Sequence, residues 1–80
     1  MNAPIQPPPG IECRPEIMFG KPVVAGTRIT VESLVERLAA GETPEEILQA
    51  HPRLTKAGLQ AAMAYVAAVM RSDVLHSMAS

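Results

Sequence analysis

The residues of this chain that could do chemistry are gathered in one stretch, residues 20–31, where two cations stand on either side of a glycine. Lys21 and Arg28 could each contact a phosphate, a partner carboxylate or a nearby backbone carbonyl, so structural use is the alternative to a functional one. Arg28 is the better functional candidate because a guanidinium makes bidentate contacts that fix geometry. Gly26 can adopt a positive φ, and Thr27 is expected to organise the resulting turn.

The rest of the sequence offers little catalytic chemistry. His51 and His76 are far apart, and neither has a cysteine or carboxylate at metal-ligand spacing. The chain has no phosphate-binding glycine loop, no paired carboxylates in an apolar context and no nucleophile with an assigned base. We therefore expect a protein that is not an enzyme and that holds neither a metal nor another cofactor.

The composition is typical of a small helical domain. Its 80 residues are 48% hydrophobic, with one Tyr, one Phe and no Trp, so the core must be built from aliphatic side chains. A chain this short buries only about 60% of its unfolded surface, which makes its core marginal alone. We therefore expect a partner or a second copy, and we predict a homodimer.

The charge of the chain is unevenly distributed. A net charge of −1 gives no overall attraction to polyanions. Residues 29–50 contain Arg37 against five glutamates, which gives −4, whereas residues 51–80 contain three cations against Asp73, which gives +2. An acidic middle segment thus precedes a mildly basic last third.

Two features of the sequence concern the compartment. No apolar run approaches the roughly 18 residues of a membrane span, and the N-terminus lacks the basic and apolar regions of a secretory signal. The lone Cys13 excludes an internal disulfide and is expected to be a buried or half-buried small hydrophobe. We therefore expect a cytoplasmic protein that does not contact membranes.

The N-terminal third is predicted to contain an arm and a small sheet. Residues 1–10 include four prolines and are predicted to form a disordered, proline-rich arm. Ile11 to Arg14 alternates apolar and charged side chains, which predicts a short strand that ends at Pro15. Together with the apolar pair Val23-Val24, this strand predicts a β-hairpin or short sheet ahead of the helices.

Three helices are predicted to follow. The first begins after Thr30 and ends near Gly41, and the second begins at Thr43-Pro44-Glu45-Glu46, a capping box with proline at the first helical position. The third runs from Lys56 to about Arg71. The predicted core positions of the first and third helices are Val31, Leu34, Val35, Leu38, Leu59, Met63, Val66 and Met70, with Ala62 and Val69 at the margin.

The predicted fold is mainly α: a trihelical, homeodomain-like helix-turn-helix core with a small N-terminal β-hairpin or sheet. This single domain is expected to span residues 11–72, with a tail or short helix at residues 73–80.

The stretch at residues 20–31 resembles the signature of a known family. Gly20-Lys21-Pro22-Val23-Val24, followed by Gly26-Thr27-Arg28-Ile29-Thr30-Val31, is similar to the pattern of domain of unknown function 433, and the similarity continues to His51-Pro52. The resemblance covers roughly residues 11–70. It implies a helix-turn-helix-like trihelical fold and, in several members, an antitoxin paired with a PIN-like ribonuclease toxin. Phe19 is a departure, since the family usually has glycine there.

The exposed face of the third helix has two interpretations. Helix-turn-helix spacing makes it a candidate DNA reader, for which the chain offers Arg53, Lys56, Gln60 and Arg71. The same face carries small side chains at near four-residue spacing, which let another helix approach closely, namely Ala57, Ala61, Ala64 and Ala68. We favour helix packing in a dimer or with a partner, and insertion into a DNA groove is the alternative.

The leading hypothesis is an antitoxin-like protein that neutralises a PIN-like ribonuclease by protein–protein binding, with operator DNA as a further candidate partner. It rests on the resemblance, and the acidic residues 29–50 would complement a basic ribonuclease surface. The alternatives are a stand-alone helix-turn-helix DNA-binding regulator and a dimeric structural or adaptor protein.

Overall fold

The structure, a computed structural model, describes residues 7–71. Within this range three helices follow a two-stranded antiparallel sheet, which confirms the predicted mainly α fold with a small N-terminal sheet. The elements in chain order are β1 (Ile11–Glu12), β2 (Val23–Val24), α1 (Val31–Ala39), α2 (Pro44–Ala50) and α3 (Lys56–Val69).

The sheet is smaller than the sequence pattern predicts. β1 pairs with β2 through Ile11 opposite Val24 and Glu12 opposite Val23, and across the turn at Gly26 there is one further bridge, between Val23 and Thr30. The prediction that the first strand reaches Arg14 with Cys13 facing inward is wrong, because β1 ends at Glu12 and Cys13 is exposed. The Arg14 carbonyl instead accepts a hydrogen bond from the Ile17 N–H (3.0 Å), so a turn replaces the ladder there.

Local sequence sets where each helix begins. The hydroxyls of Thr30, Thr43 and Thr55 each accept a hydrogen bond from the backbone N–H three residues on, which satisfies a donor at each helix N-terminus. At α2 the capping box is complete, because Glu46 also accepts from the Thr43 N–H at 2.8 Å. Gly41 has φ +99° just past α1, as predicted for a helix C-terminus.

The core lies where α3 packs on the sheet and on α1. It includes Ile11, Val24, Leu34, Ile47, Leu54, Leu59 and Ala62. Two predicted core positions are wrong: Met70 is 49% exposed and Val35 is 36% exposed. The buried face of α3 is instead centred on Gly58, Leu59 and Ala62, because these residues pack against the sheet and leave the C-terminal end of the helix less covered.

The chain ends differ from the predicted domain boundaries in one respect. Residues 1–6 and the predicted tail or short helix at residues 73–80 lie outside the described range. Gly10, the last residue assigned to the arm, contacts the domain: its carbonyl accepts from the Ala25 N–H at 2.8 Å, and a Cβ at Gly10 would stand 3.0 Å from the Cβ of Ala61.

Candidate functional site

The signature loop, residues 25–29, is held in one conformation by its own hydrogen bonds. Gly26 has φ +79°, a conformation that glycine adopts without strain. The Thr27 hydroxyl donates to the Val24 carbonyl (2.8 Å) and accepts from the Ile29 N–H (3.0 Å). The first bond holds the backbone before Arg28 and the second spans this residue, so together they fix the backbone from which the exposed guanidinium extends.

The α2–α3 turn, residues 51–54, is fixed in a similar way. Pro52 has no N–H to continue α2, and the His51 N–H makes the last bond, to the Ile47 carbonyl at 3.1 Å. The Leu54 N–H then closes the turn onto the His51 carbonyl at 2.9 Å, and the Leu54 side chain is buried in the core. Arg53 lies between the hydrogen-bonded residues His51 and Leu54, and its side chain is exposed.

The signature loop and the α2–α3 turn face each other across one cleft, which we call the signature cleft. Its volume is about 720 Å³, within the range of small-molecule sites. Gly26, Thr27, Arg28 and Ile29 line one side, and His51, Pro52 and Arg53 line the other, with Glu12 and Ile17 completing the walls. Two segments that are far apart in the sequence, residues 26–29 and 51–53, thus line a single cleft.

The cleft contains polar groups that the protein itself does not satisfy. Within residues 7–71 neither Arg28 nor Arg53 forms an ion pair or a side-chain hydrogen bond. The His51 Nε2 atom is buried and also lacks a hydrogen-bond partner there. Buried polar atoms are nearly always paired in folded proteins, so this unpaired atom is an exception among the described residues. Glu12 lies 3.9 Å from Arg14 Nε, which partly balances its charge.

From the sequence alone His51 is a candidate only as a metal ligand, and no sequence pattern connects Arg53 with Arg28. The available signal was the His51-Pro52 pair in the family pattern, which lies directly before Arg53. Periodicity cannot bring residues 28 and 53 together, because their proximity depends on how α3 packs against the sheet.

Lys21, the other cation of the signature, points to a different partner. Its Nζ atom donates to Glu32 Oε1 at 2.9 Å, which joins the segment before β2 to the first turn of α1. This hydrogen bond, together with the charge of Glu32, raises the pKa of Lys21 above its ordinary value. Lys21 therefore has a structural contact, whereas Arg28 has no such side-chain contact within residues 7–71.

The four residues predicted to contact DNA do not share one surface. Arg53 lines the signature cleft. Lys56 and Gln60 lie together in a second groove, beside the carboxylate-bearing Glu45 of α2. Arg71 is exposed at the far end of α3, about four turns from Lys56. Of these four residues, the structure brings together only Lys56 and Gln60.

The predicted alanine surface of α3 is uneven. Ala57 and Ala64 are exposed, whereas Ala61 and Ala68 are half-buried. Ala61 lies against Gly10, as described above, so the N-terminal segment covers part of this face. Ala57 and Ala64 are the members whose exposure leaves them open to a second helix.

Two further surfaces are apolar. A groove of about 310 Å³ runs between α1 and the C-terminal half of α3, and it is lined mainly by aliphatic side chains, including Pro22, Val31, Val35, Val66 and Met70. The second apolar surface is the side chain of Phe19, which is 95% exposed in the single turn Met18–Gly20. Met18 and Phe19 have φ of 48° and 60°, which is the left-handed region that non-glycine residues rarely adopt.

Residues 7–71 contain no group of three His, Cys, Asp or Glu side chains arranged to hold a metal ion. None of the helices within that range is both long and apolar enough to cross a membrane.

Comparison with known proteins matches this arrangement to one family. The family described as "Protein of unknown function (DUF433)" matches residues 11–66, which include both sides of the signature cleft.

Two relatives illustrate the similarity. The chain is 39% identical over 54 residues to uncharacterized protein y4eO of Sinorhizobium fredii, a match that covers 68% of this chain and 24% of the relative. This chain therefore spans about a quarter of that curated relative's length. The crystal structure of a DUF433 member protein from Anabaena variabilis superposes with a TM-score of 0.69 at 28% identity, covering 84% of this chain and 62% of the other.

Proposed function

This chain belongs to the DUF433 family of proteins of unknown function, and from that premise we propose that it is an antitoxin-like binding protein. In this proposal it has no catalytic activity of its own and neutralises a PIN-like ribonuclease toxin in the cytoplasm by direct contact. Ribonuclease chemistry then belongs to the toxin. The family resemblance supplies the class of partner, and the surface of the chain supports binding to a protein.

The observation that carries the proposal is the exposure of Phe19. A side chain of this size, 95% exposed, presents a large apolar area to water at the tip of a turn. The turn is strained, because Met18 and Phe19 both have positive φ. Strained backbone concentrates at functional sites, and aromatic side chains are common energetic anchors of protein interfaces. Phe19 is therefore the proposed anchor for the partner.

Charge on the helices supports the same class of partner. The acidic side chains Glu32, Glu36, Glu45 and Glu46 are all exposed on α1 and α2. A ribonuclease that binds RNA must present a basic surface, and opposite charges across an interface speed association and favour correct orientation. The acidic helices would thus steer the toxin, while Phe19 supplies apolar contact.

The decisive experiment is inhibition of a ribonuclease. The full chain would be co-expressed with a PIN-like protein encoded beside it, and the ribonuclease activity of that protein would be measured with and without the chain. We expect stoichiometric inhibition by the wild type and by Phe19→Tyr, which retains the ring. Phe19→Asn should lose inhibition, since asparagine tolerates a left-handed backbone but cannot fill an apolar pocket.

Two results would contradict the proposal. One is a genome in which no PIN-like protein is encoded beside this chain, and the other is full inhibition by Phe19→Asn.

A second candidate, a DNA-binding regulator, is favoured by the pair Lys56 and Gln60 at the start of α3, the position from which recognition helices contact bases. A mobility-shift assay should then show binding at about 50 mM salt that weakens steeply as salt rises. Lys56→Gln should reduce this binding. Absence of any shift at low salt would remove this candidate.

A further inference from the structure

We propose that the signature cleft is a binding site for a small phosphorylated molecule. Arg28 and Arg53 both line this cleft, and within residues 7–71 neither guanidinium group has an ion-pair or side-chain hydrogen-bond partner. This proposal does not depend on the antitoxin role, because it concerns residues other than Phe19.

The number of donors points to a phosphate rather than a carboxylate. One arginine can engage both oxygens of a carboxylate in two parallel hydrogen bonds, whereas a terminal phosphate has three oxygens and can accept bidentate pairs from two arginines. With two arginines and one glutamate, the side chains lining the cleft sum to +1 when His51 is neutral.

The walls of the cleft indicate that the phosphate carries an organic group. Ile17, Ile29 and Pro52 provide apolar surface beside the cations, and Glu12 provides a carboxylate that can accept hydrogen bonds from hydroxyls. The volume of about 720 Å³ exceeds what inorganic phosphate alone would fill. A concave site of this kind suits a small molecule better than a duplex, whose phosphates lie on a convex surface.

The backbone on both sides of the cleft is held before binding. Thr27 fixes the backbone around Arg28 with its two hydrogen bonds, and the buried Leu54 fixes the turn that carries His51 and Arg53. The loop therefore need not fold around the ligand, which lowers the conformational cost of binding.

The test is a titration of the ¹⁵N-labelled full chain followed by NMR, with inorganic phosphate and AMP as the probes. We expect saturable shifts of the amides of Thr27, Arg28 and His51, with AMP binding more tightly than phosphate. Arg28→Gln and Arg53→Gln should each weaken AMP binding at least about tenfold. Arg71→Gln removes the same charge outside the cleft and should leave the affinity within about twofold of the wild type.

Arg28→Lys separates geometry from charge, since lysine keeps the charge but cannot form a bidentate pair. We expect it to bind AMP more weakly than the wild type and more tightly than Arg28→Gln. Thermal unfolding of each variant would show that the fold is retained.

Three outcomes would overturn the proposal. The first is the absence of saturable shifts with either probe at about 10 mM, and the second is an equal loss of affinity in Arg71→Gln. The third is a shift of the cleft amides by a short DNA duplex but by neither small probe, which would assign the cleft to nucleic acid.

Discussion

Gly58, in the first turn of α3, lies so close to β2 that a Cβ at this position would stand 2.9 Å from Cγ1 of Val24. The same Cβ would approach Leu54 Cδ1 and Thr55 Oγ1, each at 3.3 Å. The absence of a side chain at Gly58 therefore sets the distance between α3 and the sheet. Because β2 leads into the signature loop and Leu54 ends the α2–α3 turn, this contact also positions the two sides of the signature cleft.

Replacing Gly58 by alanine is predicted to destabilise the protein, although alanine is the better helix former. Helix propensity favours alanine by about 1 kcal/mol, whereas forcing a methyl group into a filled contact costs typically about 1–3 kcal/mol. We expect a lower melting temperature, measured by circular dichroism. A stabilised Gly58→Ala protein would show that the helix can move away from Val24 without loss.

A double-mutant cycle provides the control for Gly58. Val24→Ala removes the Cγ1 atom that the new methyl group would meet, so Gly58→Ala should cost less in that background than in the wild type. Additive effects of the two substitutions would contradict a direct contact.

Thr27→Val is predicted to destabilise the signature loop by about 1–3 kcal/mol, because valine has the same shape but leaves the Ile29 N–H without its partner. Chemical denaturation would measure this loss. Ser33→Ala is a matched control, since the Thr30 carbonyl that loses the serine hydroxyl still accepts from the Leu34 N–H. Equal losses in the two variants would argue against a special role for Thr27.

Phe19→Gly is predicted to stabilise the isolated chain by about 1 kcal/mol, because glycine adopts φ 60° without the steric cost that a side chain brings. Phe19→Ala retains that cost and should not be stabilised. If Phe19 anchors a partner, both variants should bind it more weakly. Urea denaturation of the free chain tests the first effect, and a Phe19→Gly protein less stable than Phe19→Ala would contradict the strain argument.

Ala64→Arg tests the predicted dimer. If α3 packs against its copy through the exposed Ala64, a long charged side chain cannot fit between the helices, and the dimer should dissociate or unfold. Sedimentation at tens of micromolar protein would measure the assembly. Ala50→Arg makes the same change on α2 and should leave the dimer intact. A monomeric wild type, or an Ala64→Arg protein that remains an equally stable dimer, would exclude this interface.

The contact of Lys21 with Glu32 predicts a pH dependence at the alkaline end. Because the pKa of Lys21 is raised in the folded protein, its contribution to stability is fully present below the ordinary value of 10.5 and is lost as the pH rises through the folded pKa. The free energies of unfolding of the wild type and of Lys21→Met should therefore converge at pH values above the folded pKa of Lys21. The difference between them is expected to be small, since both partners are exposed. A constant difference up to about pH 12 would contradict this assignment.

Those parts of the fold that depend on residues three or four apart could be predicted from the sequence alone. The three N-cap threonines, the capping box at Thr43 and Glu46, and the left-handed Gly41 all act within one helical turn. Such interactions do not depend on the rest of the chain, because the side chain and the backbone group that it satisfies are neighbours in sequence.

Tertiary packing decided the orientation of α3 and the composition of the site. The helical pattern favoured burial of Met70, but the glycine at position 58 allowed the N-terminal half of α3 to approach the sheet, and Ala62 became buried while Met70 remained 49% exposed. The signature cleft has the same origin. Arg28 and Arg53 are separated by 25 positions, and no local rule relates them, because their meeting depends on the distance at which a helix and a sheet come into contact.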